Sequence, residues 1–334
     1  MKRISIYRRI SQTVFFALIV YGGFVATAPL DHGRSEIIDE SGYSGKYEVG
    51  RGVRFVEREK VRVNAYLPAT SCYYQHRGLF SGCSLAFVSE HLTFLTPLMQ
   101  ILPQLLLLLV LMFLVGRLFC GWVCPFGFLG DIMTSLRQLV GLDRIDLSRR
   151  MRGVLIWVKY GLLLGAIVLS VVAMMPSLGH LKNDLLLSFC QVCLGKFASP
   201  ILSGGAVCWT NFNNGVSSVL TILGLAALGV FFLGFFVRRI YCRICPIGGI
   251  TAPFNRYGLI ALYKKAQSCT NCGACARVCA VDNLTVLDSN VDGPVTACEC
   301  TLCLRCVEVC PEQDCIELTL MGRRVTSSSA TINE

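Results

Sequence analysis

"GRLFCGWVCPFG", residues 116–127, closes an apolar run that starts near Phe94. It sets two thiols and a proline where a membrane helix meets water. One cysteine pair cannot complete a four-ligand site, so a second pair has to come from elsewhere. "RIYCRICPIG", residues 239–248, meets that need. Both stretches run Arg, an aliphatic residue, an aromatic residue, Cys, a short spacer, Cys-Pro, an apolar residue and Gly, with spacers that differ by one residue. Each closes a long apolar segment. The chain therefore reads as two copies of a two-helix unit with matching cysteine pairs at one membrane face.

The 334-residue chain is 54% hydrophobic, with a mean hydropathy of +0.58, too apolar for an ordinary soluble protein. Four segments have the roughly twenty apolar residues that cross a hydrocarbon core of about 30 Å: Ile10–Ala28, Phe94–Phe119, Val154–Met175 and Val216–Val237. Basic residues set the orientation. Lys2, Arg3, Arg8 and Arg9 precede the first span, and Arg117, Arg137, Arg144, Arg149, Arg150 and Arg152 follow the second. Arg238, Arg239, Arg243, Arg256, Lys264 and Lys265 follow the fourth, whereas residues 29–93 balance eight bases against eight acids. The positive-inside rule places both termini in the cytoplasm of a bacterial-type inner membrane. Topology thus accounts for the +10 net charge, and nucleic acid is not needed to explain it. "VATA" (25–28) also resembles a signal-peptide cleavage site, but Pro29 directly after it is a poor place to cut, so residues 1–28 are read as an uncleaved span.

The fold class that follows is a mainly α membrane protein, with four transmembrane helices as two helix-pair repeats and a C-terminal α+β ferredoxin-like domain. Residues 1–28 form the first helix with its basic N-terminus and 29–93 an outer segment whose alternating "KYEVGRGVRFVEREKVRVNAYL" suggests short strands. Residues 94–254 hold the other helices and an outer loop at 176–215; 255–320 form the cysteine-rich domain, and 321–334 a disordered tail. A pseudo-twofold arrangement of the repeats brings Cys120, Cys124, Cys242 and Cys245 together. Four thiolates suit an iron–sulfur cluster or another soft metal such as Cu(I); simple packing of cysteine at helix ends is the plainer alternative.

"CTNCGACARVCA" (269–280) and "CTLCLRCVEVCP" (300–311) each show Cys-x2-Cys-x2-Cys-x3-Cys. This is the two-cluster ferredoxin spacing, in which the fourth cysteine of each run serves the other cluster. Cys269, Cys272, Cys275 and Cys310 are assigned to one [4Fe–4S] cluster, and Cys300, Cys303, Cys306 and Cys279 to the other. Zinc sites use paired Cys-x2-Cys knuckles with longer separations, and a disulfide framework conflicts with a reducing compartment. Ala280 stands where proline usually follows the first run. Cys298 and Cys315 are read as non-ligands, Cys298 being the closer competitor for a cluster.

Five cysteines remain on the predicted outer side: Cys72, Cys83, Cys190, Cys193 and Cys208. They form either disulfides or a further cluster, which would shorten the electron's path across the bilayer. "CQVCL" is no haem attachment site because no histidine follows it. His32, His76, His91 and His180 read as solvated loop residues that include candidate proton acceptors from a quinol. Gln100 and Gln104, a turn apart, can face a quinone headgroup or a neighbouring helix, and Lys159 most simply snorkels to the interface.

Twin membrane Cys…Cys-Pro motifs followed by two ferredoxin runs resemble the membrane-bound polyferredoxins, the family of the NapH, NosR and CcoG proteins, over residues 94–320. No acidic-Gly-x-Thr flavin-attachment sequence of the NosR kind is present. The resemblance implies an electron-transfer subunit of a membrane oxidoreductase module. It would link the quinone pool to a partner redox subunit (an iron–sulfur protein, cytochrome or terminal reductase), with two [4Fe–4S] clusters, one or two further clusters, and quinone as candidate cofactors. Such a subunit has no bond-making site of its own; the chain shows no nucleotide-binding glycine loop, zinc-protease motif or nucleophile elbow. A CcoG-like copper reductase serving oxidase assembly and a redox-sensing membrane regulator are the other two readings.

Overall fold

The computed structural model describes residues 3–27, 63–69, 80–94, 97–143, 145–172, 188–197 and 215–328. Three of its helices are long and apolar enough to cross a membrane. They are α3 (Leu98–Val115), α6 (Arg149–Val172) and α8 (Gly215–Phe232), the last continued by a 3-10 turn through Phe235; their mean hydropathies are 2.5, 2.2 and 2.3. Most of their surface faces outward. Met99, Leu106, Trp157, Leu164 and Ile222 are all exposed, as a lipid-facing helix requires. The N-terminal helix α1 (Arg3–Thr27) takes in most of the first predicted span.

Between α1 and α3 come β1 (Val63–Leu67) and β2 (Phe80–Cys83), a parallel pair, then α2 (Ser84–Phe94). Much of the segment at 29–93, with Cys72, His32 and His76, lies outside the described residues, as do His180 and Cys208. The short helix α7 (Ser188–Val192) precedes α8. Both predicted outer regions send a helix back into the bundle: α2 packs on α6, and α7 packs on α2, α6 and α8.

Each Cys-Pro motif forms a short helix, a break and a new helix. Leu118–Trp122 (α4) leads to Pro125–Leu139 (α5), and Ile240–Ile244 (α9) leads to Pro246–Tyr257 (α10). Cys124 (φ −64°, ψ 124°) and Cys245 (φ −64°, ψ 119°) are the extended caps. Proline follows each for a physical reason: the first helical position has no acceptor for an N–H, and proline's fixed φ suits it.

The tail from Ile260 builds a four-stranded sheet of order β4-β3-β5-β6, from β3 (Ile260–Lys264), β4 (Gly293–Pro294), β5 (Ile316–Leu320) and β6 (Arg323–Ser327). Helices α11 (Ala274–Val278), α12 (Thr285–Asp288) and α13 (Arg305–Val309) complete it. Leu262, Val295, Leu302, Val307, Ile316 and Leu318 form its core. Strand β6 corrects the sequence reading of 321–334 as a disordered tail. Met321 (φ 51°) and Gly322 (φ 77°) make a two-residue hairpin turn with both central residues left-handed, the turn whose twist suits a strand pair. Glu317 to Leu320 then pair with Ser327 to Arg323. Residues 329–334 lie outside the described set.

Asp131, on α5, ties these parts together. Its carboxylate accepts Arg239 Nη2 at 2.6 Å and Nε at 3.1 Å. Arg8 of α1 sits at 3.1 Å and Arg305 of α13 at 3.5 Å, while Gln12 Nε2 donates at 3.1 Å. Four separate segments therefore meet on one buried carboxylate. Burial by itself raises the pKa of Asp131, but Arg239, Arg8 and Arg305 outweigh it and hold the group well below the usual carboxylate range.

Replacing Asp131 with Asn strands buried arginines, a loss of about 3–5 kcal/mol for a broken buried pair. A folded-state pKa below the unfolded value gives stabilisation that is complete above about pH 4 and fades as the pH falls through the depressed value. Thermal unfolding in lipid nanodiscs should show Asp131→Asn clearly less stable at pH 7, with the gap to wild type narrowing only in strong acid.

Candidate iron–sulfur sites

The two ferredoxin runs fold alike. Residues two and four places after the first cysteine are left-handed in both: Asn271 (φ 53°) and Gly273 (φ 71°) in one, Leu302 (φ 47°) and Leu304 (φ 59°) in the other. Leucine pays conformational strain for that backbone, which shows how firmly the loop is held. The bend curls each loop around a cavity. Cys269, Cys272, Cys275 and Cys310 stand around one. Cys279, Cys300, Cys303 and Cys306 stand around the other. Cys275 and Val286 border both cavities, so they share a wall.

The donor set fits an iron–sulfur core. Backbone amides already point at sulfur: Leu302 N–H donates to Cys300 Sγ (3.4 Å) and Asn283 N–H to Cys279 Sγ (3.2 Å). Burial pushes the Cys279 thiol up to about 11 and the Cys300 thiol up to about 12. Thiolates crowded in such a place need a compensating cation, and ligated iron supplies it. Among the described residues no three His, Cys, Asp or Glu side chains converge tightly enough for a single metal ion; the thiols stand back around a space instead. Cys298 borders neither cavity. Cys315, read as a non-ligand, is buried and borders the first, with its Sγ 3.7 Å from Lys265 O.

The Cys-Pro motifs meet at the other end of the tail. Cys120, Cys124, Cys242 and Cys245 lie within electrostatic reach of one another. Burial pushes Cys242 up to about 12, with Arg239 pulling the other way. The two motif arginines cross over. Arg117, from the first motif, lies 3.0 Å from the point a Cβ would occupy on Gly248 of the second. Arg239, from the second, lies 3.8 Å from the same point on Gly127 of the first and donates to Cys120 O at 3.4 Å. Gly248 leaves room for the Arg117 cation of the other motif, whereas Gly127 is required by Cys120 O of its own motif, 2.6 Å from where a Cβ would stand; both arginines lie beside the motif thiols and favour their ionised form.

The second ferredoxin loop is seated on these turns. Asn255 Nδ2 donates to Ala297 O and Cys300 O, both at 2.8 Å. Trp122 Nε1 donates to Leu302 O at 3.0 Å. Arg117 donates to Cys298 O at 3.0 Å and pairs with Glu299 at 2.8 Å. A Cβ on Gly121 would come 2.4 Å from Thr301 O, so only glycine permits the approach.

Several sequence readings change here. Lys159 does not snorkel; it is fully buried in α6 and pairs with Glu299 of the tail. Cys83, Cys190 and Cys193, expected on an outer loop, are buried in the bundle. Cys83 and Cys190 share a core with Cys124, Cys245 and Tyr241, and Cys193 Sγ is 3.8 Å from Tyr241 Oη. The cause is the inward fold of α2 and α7, which keep their backbone bonds satisfied as helices within protein. His91 is not a solvated loop residue either: its ring packs 4.4 Å from Phe87. Gln100 is exposed and Gln104 half-buried on α3.

Comparison with known proteins agrees with this geometry. A family model described as a 4Fe-4S binding domain matches residues 101–143 and 219–267, each range taking in one Cys-Pro motif. One described as a 4Fe-4S dicluster domain matches 261–311. An uncharacterized protein of Methanocaldococcus jannaschii is 26% identical over 63% of this chain and 76% of its own length. The putative electron transport protein YccM of Escherichia coli is 27% identical over 64% of this chain and 54% of its own. The methylamine utilization ferredoxin-type protein MauN of Methylorubrum extorquens is 31% identical over 52% and 51%. The matched region spans about half the length of these last two relatives. No solved structure matches.

Cysteines spaced for cubanes, in a tail docked on apolar helices, make this a membrane iron–sulfur protein of the electron-transport class. Its matched domains and relatives are of the polyferredoxin-like 4Fe–4S kind.

Iron and sulfide counting on anaerobically purified variants tests the ligand sets. Cys300→Ser should lose close to one cluster's worth of iron, and Cys298→Ser none. Gly121→Val should lift the tail from the Cys-Pro turns, read as faster proteolysis between residues 258 and 300 while the apolar helices stay intact.

Proposed function

We propose that this protein carries electrons between the quinone pool and a partner redox protein through thiol-held [4Fe–4S] clusters set in a row. The observation that carries this reading is the order of the sites. The Cys120/Cys124/Cys242/Cys245 group sits at the helix ends, Thr301 on the wall of the Cys279/Cys300/Cys303/Cys306 cavity packs on Gly121 of the first motif, and the Cys269/Cys272/Cys275/Cys310 cavity shares Cys275 and Val286 with that one, with Cys272 exposed. When bound, each cluster supplies one-electron oxidation and reduction. The chain's own residues fix the spacing, exclude water from the inner cavity, and set nearby charge through Arg117 and Arg239. Cys269, Cys272, Cys275 and Cys310 hold the outer cluster, and Cys300, Cys303, Cys306 and Cys279 the inner one. The membrane-end thiols hold a further cluster, which the match of the 4Fe-4S binding domain to both Cys-Pro motifs supports.

The same reading gives four spans in two related pairs, with α1 as the first. The reciprocal crossing of Arg117 and Arg239 supports the pairing. The start of α1 lies beside the tail, where Ser5 N–H donates to Glu308 at 3.1 Å, which supports both ends of the chain sharing the cytoplasmic side of an inner membrane. Cys83, Cys190 and Cys193 extend the thiol-lined interior into the bundle, in which Ser89 of α2 meets Ser170 of α6 at 2.7 Å, about three turns from Lys159.

A water-soluble quinol added to anaerobic nanodiscs should reduce the tail clusters, seen as growth of their low-temperature EPR signals. Cys120→Ser and Cys242→Ser should abolish that growth while dithionite still reduces both tail clusters. Quinol reduction unchanged in both variants would remove the membrane-end thiols from the path. Stoichiometric copper in place of iron at those thiols would favour a copper-handling role.

A further inference from the structure

We propose that the side-chain amide of Asn283 donates a hydrogen bond to sulfur of the inner cluster and raises its reduction potential. This inference rests on the inner cavity holding a cluster, as set out above. Asn283 borders the cavity ringed by Cys279, Cys300, Cys303 and Cys306. Three of its polar groups have distinct fates. Its backbone N–H donates to Cys279 Sγ at 3.2 Å. Its Oδ1 accepts the N–H of Thr285 at 3.1 Å, which fixes which end of the amide is oxygen. The Nδ2 that remains is buried without a protein acceptor. A buried amide donor left unpaired is costly, so its survival in a residue that lines the cavity calls for an acceptor inside the cavity. Cluster sulfur, inorganic or thiolate, is the acceptor that the surrounding thiols imply.

The consequence is directional. Reduction adds one negative charge, spread largely onto sulfur, and a donor aimed there stabilises the reduced form more than the oxidised one. The position matching Asn283 behind Cys310 is Asp314. Its carboxylate is engaged by Arg324 at 2.9 Å and does not border the outer cavity. The two halves of the tail, alike in loop geometry, therefore differ at this point. The inner cluster is held at the higher potential relative to its setting without this donor.

Redox titration followed by EPR on the full-length protein tests this. Asn283→Leu removes the donor; Asn283→Asp keeps the acceptor for Thr285 and replaces the donor with a charged oxygen. Both should lower the inner cluster's midpoint, Asp more than Leu. For Leu the expected change is about tenfold in the ratio of reduced to oxidised cluster at the wild-type midpoint, or about 59 mV for a one-electron couple. The outer cluster should stay put. Intact clusters with an unchanged or raised inner midpoint in either variant would overturn the role of Asn283 and leave the cluster assignment standing. Wild-type protein without iron in the tail would overturn that assignment and this inference with it. Should a variant lose the cluster, pulsed EPR of wild type labelled with 15N at asparagine side-chain amides decides: coupling to the inner cluster is expected, and its absence refutes the hydrogen bond.

Discussion

Burying a charge is tolerable only when opposite charge meets it, and this protein uses that constraint twice, at the buried Asp131 and at the buried Arg117 and Lys159, to dock its soluble tail on its membrane helices. Asp131 gathers Arg8, Arg239 and Arg305; Glu299 gathers Arg117 and Lys159. Arg117 and Arg239 are the leading residues of the two Cys-Pro motifs. The cations that anchor the tail thus also stand beside the membrane-end thiols. Docking and electrostatic tuning come from the same side chains, so neither can be altered alone.

This arrangement explains why the contact between tail and helices is so close. Gly121 lets Thr301 O approach to within what a methyl group would need, and Trp122 and Asn255 hydrogen-bond the loop that carries Cys300. Electron transfer falls steeply with distance, and a loosely tethered domain would sample many separations. Fixing the loop by backbone carbonyls rather than by flexible surface side chains gives one separation. The outer cavity needs no such lock. Cys272 is left exposed, where a partner can come near.

The cysteine chemistry was the most legible part of the chain. Ligand spacing is local, and a Cys-x2-Cys-x2-Cys-x3-Cys run has few ways to fold around a cubane, so the sets around both cavities could be written from residue numbers. The paired Cys-Pro motifs were legible for a related reason: a repeat places its two copies in similar settings. What stayed hidden depended on contacts between distant segments. Lys159 in an apolar run reads as a snorkelling residue unless Glu299, in the tail, is known to sit beneath it. Cys83, Cys190 and Cys193 read as outer residues because hydropathy reports spans, not short helices that turn back into a bundle. Asn283 carries no motif at all, and only its unpaired Nδ2, in a residue that lines a cavity, singles it out. Strand β6 was missed because its polar sequence resembles a loose tail, and the Met321–Gly322 turn carries no strong hairpin signal.

The central claim is that iron occupies three thiol groups in a row, from the helix ends to the exposed edge of the tail. Anomalous X-ray scattering at the iron edge, on crystals grown and kept without oxygen, tests it most directly. The account predicts separate iron peaks beside Cys120/Cys124/Cys242/Cys245, beside Cys279/Cys300/Cys303/Cys306 and beside Cys269/Cys272/Cys275/Cys310. Iron confined to the tail, with none at the Cys-Pro turns, would contradict it.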